Sequence, residues 1–238
     1  MKVTLFIPCF INLFYPKVGM SMIQILERLG HEVDFKEDQT CCGQPPFNAG
    51  YWDEARAAAF KNLERYRESE VVVIPSGSCG AMMKVFYPQL FDQTPYRQEA
   101  LDLSAKTFEF SDFLVNRLGV TDLGARLEGT ATFHDGCHGL RELGIKTAPR
   151  QLLAKVKGLQ LIEMSEAERC CGFGGLFAVK FPSISTAMDE VKCDSIQATK
   201  ADYVVSNDSS CLMQIQGLLQ RQGRQPHCVH LAEVLAQQ

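Results

Sequence analysis

Short apolar segments alternate with longer amphipathic segments along the whole chain. Apolar runs predict strands near residues 3–8, 32–35 and 71–74, and later near 130–134, 159–163 and 203–206. Helical periodicity predicts helices near residues 18–29, 53–67, 79–87, 148–156, 183–198 and 210–222. Strands that alternate with helices in this way are typical of βαβ units around a parallel sheet, so the pattern predicts an α/β fold.

One cysteine pattern occurs twice. The two copies begin at Cys9 and Cys137. In each copy a Cys-Cys-Gly triplet follows, and a further cysteine ends the copy. Matching cysteines lie 128, 129 and 132 residues apart. This spacing indicates a tandem duplication of two Rossmann-like βαβ halves with mainly parallel sheet. The predicted halves are residues 1–122 and 123–238, because Gly, Asp and Arg interrupt the periodicity between residues 119 and 129.

The repeated cysteines follow predicted strands. A single cysteine comes just after the first and third strand of each half, and each triplet lies in the loop after the second strand. Ligands bind at the carboxyl edge of open α/β sheets. We therefore expect four thiols of each half to meet at that edge: Cys9, Cys41, Cys42 and Cys79 in the first half, and Cys137, Cys170, Cys171 and Cys211 in the second.

Composition narrows the classes of partner. The 238 residues include 24 basic and 28 acidic side chains, for a net charge of −4. The chain contains no block of Lys and Arg residues, which argues against nucleic acid or an anionic membrane as the main partner. No segment reaches the about 18 apolar residues of a membrane-spanning helix. The apolar start at residues 5–15 contains Pro8 and Asn12 and no cleavage site follows it, so the cytoplasm is expected.

Ten cysteines are expected to be reduced in that compartment, where clustered thiolates bind zinc or an iron–sulfur cluster. Structural zinc sites usually use Cys-x-x-Cys pairs, whereas adjacent cysteines suit a larger object with several iron atoms. Glycine after each cysteine pair permits unusual backbone dihedrals and a close approach to a bulky cluster. The residues therefore favour an iron–sulfur cluster over zinc, and both over inert buried thiols. No Gly-x-Gly-x-x-Gly fingerprint predicts nucleotide or flavin binding.

These motifs resemble a known family. The repeat is similar to the CCG cysteine-rich domain of heterodisulfide reductases and related electron-transfer proteins. Within that group the chain resembles the lactate utilization protein A family over essentially its whole length. The stretches that carry this resemblance are residues 75–79 (PSGSC), 134–138 (HDGCH), 170–182 (CCGFGGLFAVKFP), 210–213 (SCLM) and 230–233 (HLAE).

The resemblance implies an iron–sulfur electron-transfer subunit of a three-protein system that oxidises L-lactate to pyruvate. It implies two further subunits as partners, a non-flavin role in an L-lactate dehydrogenase complex, and one or two clusters per chain, of the 4Fe–4S type. In the reductase relatives the triplet motif ends in Cys-x-x-Cys. Here Ser76 and Asp208 replace the first cysteine of that pair, which leaves four cysteines per half. One cluster per half and a single cluster between the halves both remain open.

Other residues near the motifs have two interpretations. His134 and His138 flank Cys137 and are either donors beside a cluster or histidines held by loop backbone. Cys193 and Cys228 are expected in the core. Arg141 is interpreted as a surface residue, and neither an arginine pair nor a histidine base predicts a lactate site. The functional alternatives are a heterodisulfide-reductase-like protein acting on a thiol or disulfide and a zinc-stabilised interaction scaffold.

Overall fold

A computed structural model describes all 238 residues as two four-stranded sheets, in which every paired strand is parallel. The first sheet has the order β2-β1-β3-β4, and the second has the order β6-β5-β7-β8. The strands are β1 (Lys2–Leu5), β2 (Glu32–Phe35), β3 (Val72–Ile74), β4 (Thr107–Glu109), β5 (Arg126–Phe133), β6 (Lys157–Leu161), β7 (Tyr203–Ser206) and β8 (His227–His230). The predicted α/β fold with two similar halves is confirmed.

Fourteen α-helices connect and cover the strands. Those of the first half are α1 (Cys9–Phe14), α2 (Pro16–Arg28), α3 (Gln44–Asn48), α4 (Trp52–Arg65), α5 (Gly77–Ala81), α6 (Tyr87–Leu90), α7 (Arg97–Ala105) and α8 (Phe110–Asp112). Those of the second half are α9 (Cys137–Arg141), α10 (Thr147–Leu153), α11 (Leu176–Lys180), α12 (Pro182–Thr199), α13 (Ser209–Arg221) and α14 (Leu231–Ala236). Two π-helical turns, Met82–Phe86 and Phe113–Arg117, extend α5 and α8.

The predicted elements differ from the observed ones mainly at their ends. The first strand stops at Leu5 rather than residue 8, because Pro8 caps α1, which begins at Cys9. The helix predicted over 79–87 begins two residues earlier and changes to π-helical geometry at Met82. The edge strands β4 and β8 were not predicted. Their sequences, TFE in β4 and HCVH in β8, have polar residues at both ends and so form no apolar run.

The strand order places the cysteines. The chain moves from β1 to β2 on one side and then crosses to β3 on the other side, so a topological switch point lies between β1 and β3. Cys9 follows β1 and Cys79 follows β3, on either side of that point. The second half repeats this arrangement with β5 and β7. Crevices at such switch points are the usual ligand sites of open α/β sheets.

The two halves share a core. A cluster of 25 buried apolar residues joins both sheets, and it includes Leu5 and Phe110 from the first half and Leu152 and Leu231 from the second. The last helix of each half packs on the other half: α14 lies on α2, and α8 lies on α10. The boundary between residues 122 and 123 stays a prediction. None of the helices combines the length and apolar character needed to cross a membrane.

Candidate functional site

The four cysteines of the first half form one connected set of sulfur atoms. The thiols of Cys9 and Cys42 both lie against the sulfur of Cys41. The Sγ atoms of Cys42 and Cys79 are 3.3 Å apart. Cys9 is exposed and Cys42 is buried, so the set extends from the protein surface into the first-half core.

The second half holds an equivalent set. The sulfur of Cys170 contacts the thiols of Cys137 and Cys171, and Cys171 in turn contacts Cys211. Each of these sulfur contacts joins cysteines of the same half. The structure therefore groups the eight cysteines that the sequence singled out into two separate sets, with four cysteines in each half.

The thiols of each set stabilise one thiolate. Hydrogen bonds from Cys42 and Cys9, together with the amide of Gly43, lower the pKa of Cys41 to about 3. Hydrogen bonds from Cys137 and Cys171 lower the pKa of Cys170 to about 2 in the same way. The thiolate is the form of cysteine that binds metals. Each set is therefore arranged for a soft or borderline metal.

The glycine of each triplet is required by the backbone. Gly43 and Gly172 have φ values of 86° and 90°, which side chains other than glycine rarely adopt. A Cβ at Gly43 would lie 3.0 Å from the carbonyl oxygen of Ala55, and one at Gly172 would lie 2.5 Å from that of Ser185. The glycines thus allow each cysteine loop to pack tightly against α4 or α12.

Neutral side chains hold the first-half loop. The Asn62 amide donates to the carbonyl oxygen of Cys41 over 3.1 Å and to the Tyr87 hydroxyl over 3.0 Å. Tyr87 donates in turn to the carbonyl oxygen of Cys42 over 2.8 Å. Both side chains are fully buried. Neither residue was predicted from the sequence, although Asn62 is a polar residue on the apolar face of a predicted helix and so gave a usable signal.

A buried cation holds the second-half loop. The Lys192 ammonium donates to the carbonyl oxygens of Glu166 and Ala167, just before the triplet. The side chain has no exposed surface. Burial lowers the pKa of Lys192 to about 8, while the nearby charges of Cys171 and Cys211 oppose that shift. Lys192 was not predicted from the sequence either.

His134 lies beside the second-half cysteines. One ring nitrogen of His134 and the Sγ atoms of Cys171 and Cys211 all lie within 4.8 Å of one another. Neither ring nitrogen meets hydrogen-bond geometry with a partner, and burial lowers the pKa of His134 to about 3. An unpartnered imidazole against two sulfurs fits a donor or ligand to a bound group, and this role stays a prediction.

The remaining candidates are dispersed. His138 is half-buried and lies edge-on to Phe86, with ring centroids 6.3 Å apart. Cys193 is fully buried, 3.8 Å from an Asp189 oxygen, and Cys228 packs partly buried against the same core. Arg141 is exposed. Of the two histidines, the structure therefore places only His134 against the thiols.

The two residues that replace cysteines meet at the contact between the halves. Ser76 Oγ donates to Asp208 Oδ1 over 3.0 Å. The backbone amide and hydroxyl of Ser78 also donate to the Asp208 carboxylate, over 3.0 and 3.1 Å. Asp208 is buried, which raises its pKa above the usual value. These equivalent positions thus form a polar link next to both cysteine sets rather than ligands within one set.

A polar cavity of about 450 Å³ opens beside the second triplet. Its basic side chains are all paired with carboxylates. The pairs are Arg150 with Asp135 and Glu163, Lys146 with Glu168, and Arg169 with Glu166. The cavity therefore offers no unpaired cation to the carboxylate of a small acid.

A family model described as a CCG cysteine-rich domain matches the chain twice, over residues 3–84 and 131–216. Each match contains the four clustered cysteines of one half. The duplication inferred from cysteine spacing and the repeated sheet topology therefore coincides with two copies of a known domain.

Curated relatives match nearly the full length. Lactate utilization protein A of Geobacillus thermodenitrificans is 48% identical over 99% of this chain and 98% of its own length. That of Macrococcus caseolyticus is 46% identical over 100% and 97%. An aspartate racemase homologue from Pyrococcus horikoshii shares 12% identity over 99% of this chain and 95% of its own, with a TM-score of 0.30, too low for a functional comparison. The chain belongs to the lactate utilization protein A family of CCG cysteine-rich proteins.

Proposed function

We propose that this chain is an iron–sulfur electron-transfer subunit of a multi-protein cytoplasmic system that oxidises L-lactate to pyruvate. The observation that carries the proposal is the pair of four-thiol sets at equivalent switch points of the two sheets. The lactate assignment draws on the names of the relatives, and we propose two further subunits as partners.

The donor atoms fit the proposed cofactor. Four cysteine sulfurs per half are the usual ligand set of a 4Fe–4S cluster. The residues that would hold it are Cys9, Cys41, Cys42 and Cys79 in the first half, and Cys137, Cys170, Cys171 and Cys211 in the second. A bound cluster supplies one-electron steps, which protein side chains alone do not provide.

The chain's own groups bind and shield such a site. The amides of Gly43 and Gly172 point at the sulfurs of Cys41 and Cys170, 3.5 and 3.4 Å away. Hydrogen bonds to ligand sulfurs stabilise their negative charge and influence the reduction potential. Cys42 and Cys171 are each 2% exposed, so water is excluded from the inner side of each set. In the polar cavity every cation is already paired with a carboxylate, so that cavity does not favour lactate binding.

The test is a cysteine variant with a matched control. Cys171→Ala removes an inner thiol, so after anaerobic purification we expect it to lose iron, acid-labile sulfide and lactate-dependent electron flow together. Cys193→Ala removes an equally buried thiol outside both sets and is expected to retain all three. Unchanged iron and electron flow in Cys171→Ala would contradict the proposal.

The zinc scaffold is the competing outcome of the same measurement. His134 with Cys171 and Cys211 gives the second half a mixed nitrogen and sulfur donor set, which zinc also accepts. Zinc without sulfide, in a colourless protein with no EPR signal after reduction, would replace electron transfer with a structural role.

A further inference from the structure

The two cysteine sets have equivalent backbones but different neighbours. Asn62 and Lys192 lie 130 residues apart, between the offsets of the paired cysteines, and both hold carbonyl oxygens at or just before a triplet. Phe6 and His134 lie 128 residues apart, the same offset as Cys9 and Cys137. All four side chains are fully buried. The second half therefore carries a cation where the first half has Asn62, and an imidazole where the first half has Phe6.

We propose that the second-half set holds its cluster at a higher reduction potential than the first-half set, with Lys192 and His134 as the residues that set the difference. This inference rests on the proposed function. A chain that has gained one electron therefore carries it on the second half. Reduction adds negative charge to a cluster, and a buried cation stabilises that charge more strongly than an exposed one does.

Lys192 is hydrogen-bonded to the loop that leads into the second-half triplet. The strongest charge interactions on Lys192 come from Cys171 and Cys211. Lys84 is a half-buried lysine of the first half, and its charge partner is Asp112. Its ammonium donates to the carbonyl oxygens of Ser104 and Thr107 and lies over the Phe108 ring.

Other charges near the sets do not cancel this difference. Asp135 is neutralised by Arg150 through two contacts of 2.8 Å. Asp208 lies at the contact between the halves, and its hydrogen bonds run to first-half residues, so its charge is shared. The exposure of Cys9 favours reduction of the first-half site, which makes it the opposing influence. We expect the charge of Lys192 to outweigh this influence, because burial strengthens its interaction with the charge of a cluster.

The experiment compares full-length chains that each keep one complete set. Cys41→Ala with Cys42→Ala leaves the second-half set, and Cys170→Ala with Cys171→Ala leaves the first-half set. EPR-monitored redox titration of the anaerobically loaded chains is expected to give the higher midpoint potential to the second-half site. The expected difference is at least tenfold in the reduction equilibrium constant, which is about 59 mV for one electron.

Substitutions then identify the source of the difference. In the chain that keeps the second-half set, Lys192→Asn introduces the first-half residue and is expected to lower the potential. Lys192→Gln, which retains a hydrogen-bond donor without the charge, is expected to do the same and serves if Lys192→Asn does not fold. Lys200→Asn removes an exposed lysine at the end of the same helix and is expected to leave the potential unchanged.

The outcomes separate the inference from the proposed function. Absence of iron and sulfide from the wild-type chain would contradict the proposed function. Two loaded sites with equal potentials, or with the higher potential in the first half, would overturn the inference alone. Loss of all iron from both single-set chains would also overturn it, because it would indicate one site shared between the halves.

Discussion

The first and second halves surround equivalent cysteine sets with different side chains. Both place four thiols and a left-handed glycine at the switch point of a four-stranded parallel sheet. The first half surrounds them with Phe6, Asn62 and Tyr87, whereas the second uses His134 and Lys192. Duplication thus preserved the ligand geometry while the electrostatic surroundings diverged.

The difference extends to the last strand of each half. Glu109 ends β4 and caps α8 by accepting from the amides of Ser111 and Asp112. His230 ends β8 and caps α14, with Nδ1 accepting from the Ala232 amide and Nε2 facing the Pro75 carbonyl oxygen 3.1 Å away. Both side chains are buried, so a titratable acid in one half corresponds to a titratable base in the other.

The largest expected effect is on the pH dependence of stability, to which Glu109 and His230 contribute in opposite directions. Burial raises the pKa of Glu109 from 4.5 to about 7. The folded state therefore binds the proton more tightly than the unfolded state, and stability falls as pH rises between about 4.5 and 7. Glu109→Gln should remove about 3 kcal/mol of this loss between pH 4 and 8. Urea unfolding of both proteins under reducing conditions measures it.

His230 provides the control with the opposite sign. Burial lowers its pKa from 6.5 to about 4, so stability is lost as pH falls below about 6.5, because the proton would displace the Ala232 amide from Nδ1. In His230→Gln the loss of stability at low pH should shrink. Above pH 7 the pH dependence of its stability should match that of the wild type. A Glu109→Gln variant with the same pH profile as wild type would refute the assignment.

A smaller effect tests how closely the halves approach. A Cβ at Gly77 would lie 2.7 Å from the Cα of Gly139, where α5 meets α9. Gly77→Ala is therefore expected to lower the free energy of unfolding by about 2 kcal/mol. Gly217, inside α13, has no atom within 4 Å of such a Cβ. Gly217→Ala should raise stability by about 0.5–1 kcal/mol. Equal stability of the two variants would show that the halves do not pack this tightly.

The sequence predicted the elements and residues that repeat. Six of the eight strands, the four longest helices and the eight clustered thiols follow from apolar periodicity and from cysteine spacing, since both signals recur in the two halves. Glycine at positions 43 and 172 was also expected to allow unusual dihedrals, as the φ values of 86° and 90° confirm.

What the sequence did not reveal depends on contacts between distant segments. Lys192 appears as one lysine of an amphipathic helix until α12 is seen to bury it against the loop before Cys170. Ser76 and Asp208 were noted as missing cysteines, but their mutual hydrogen bond requires the packing of one half on the other. The strands β4 and β8 have polar residues at both ends, so no apolar run marks them in the sequence.

Counting iron and acid-labile sulfide in anaerobically purified protein tests the two-site arrangement most directly. Two separate sets predict about eight irons per wild-type chain and about four in each chain in which one triplet is changed to Ala-Ala-Gly. About four irons in wild type, with none left after either change, would contradict separate sites and indicate a single cluster between the halves.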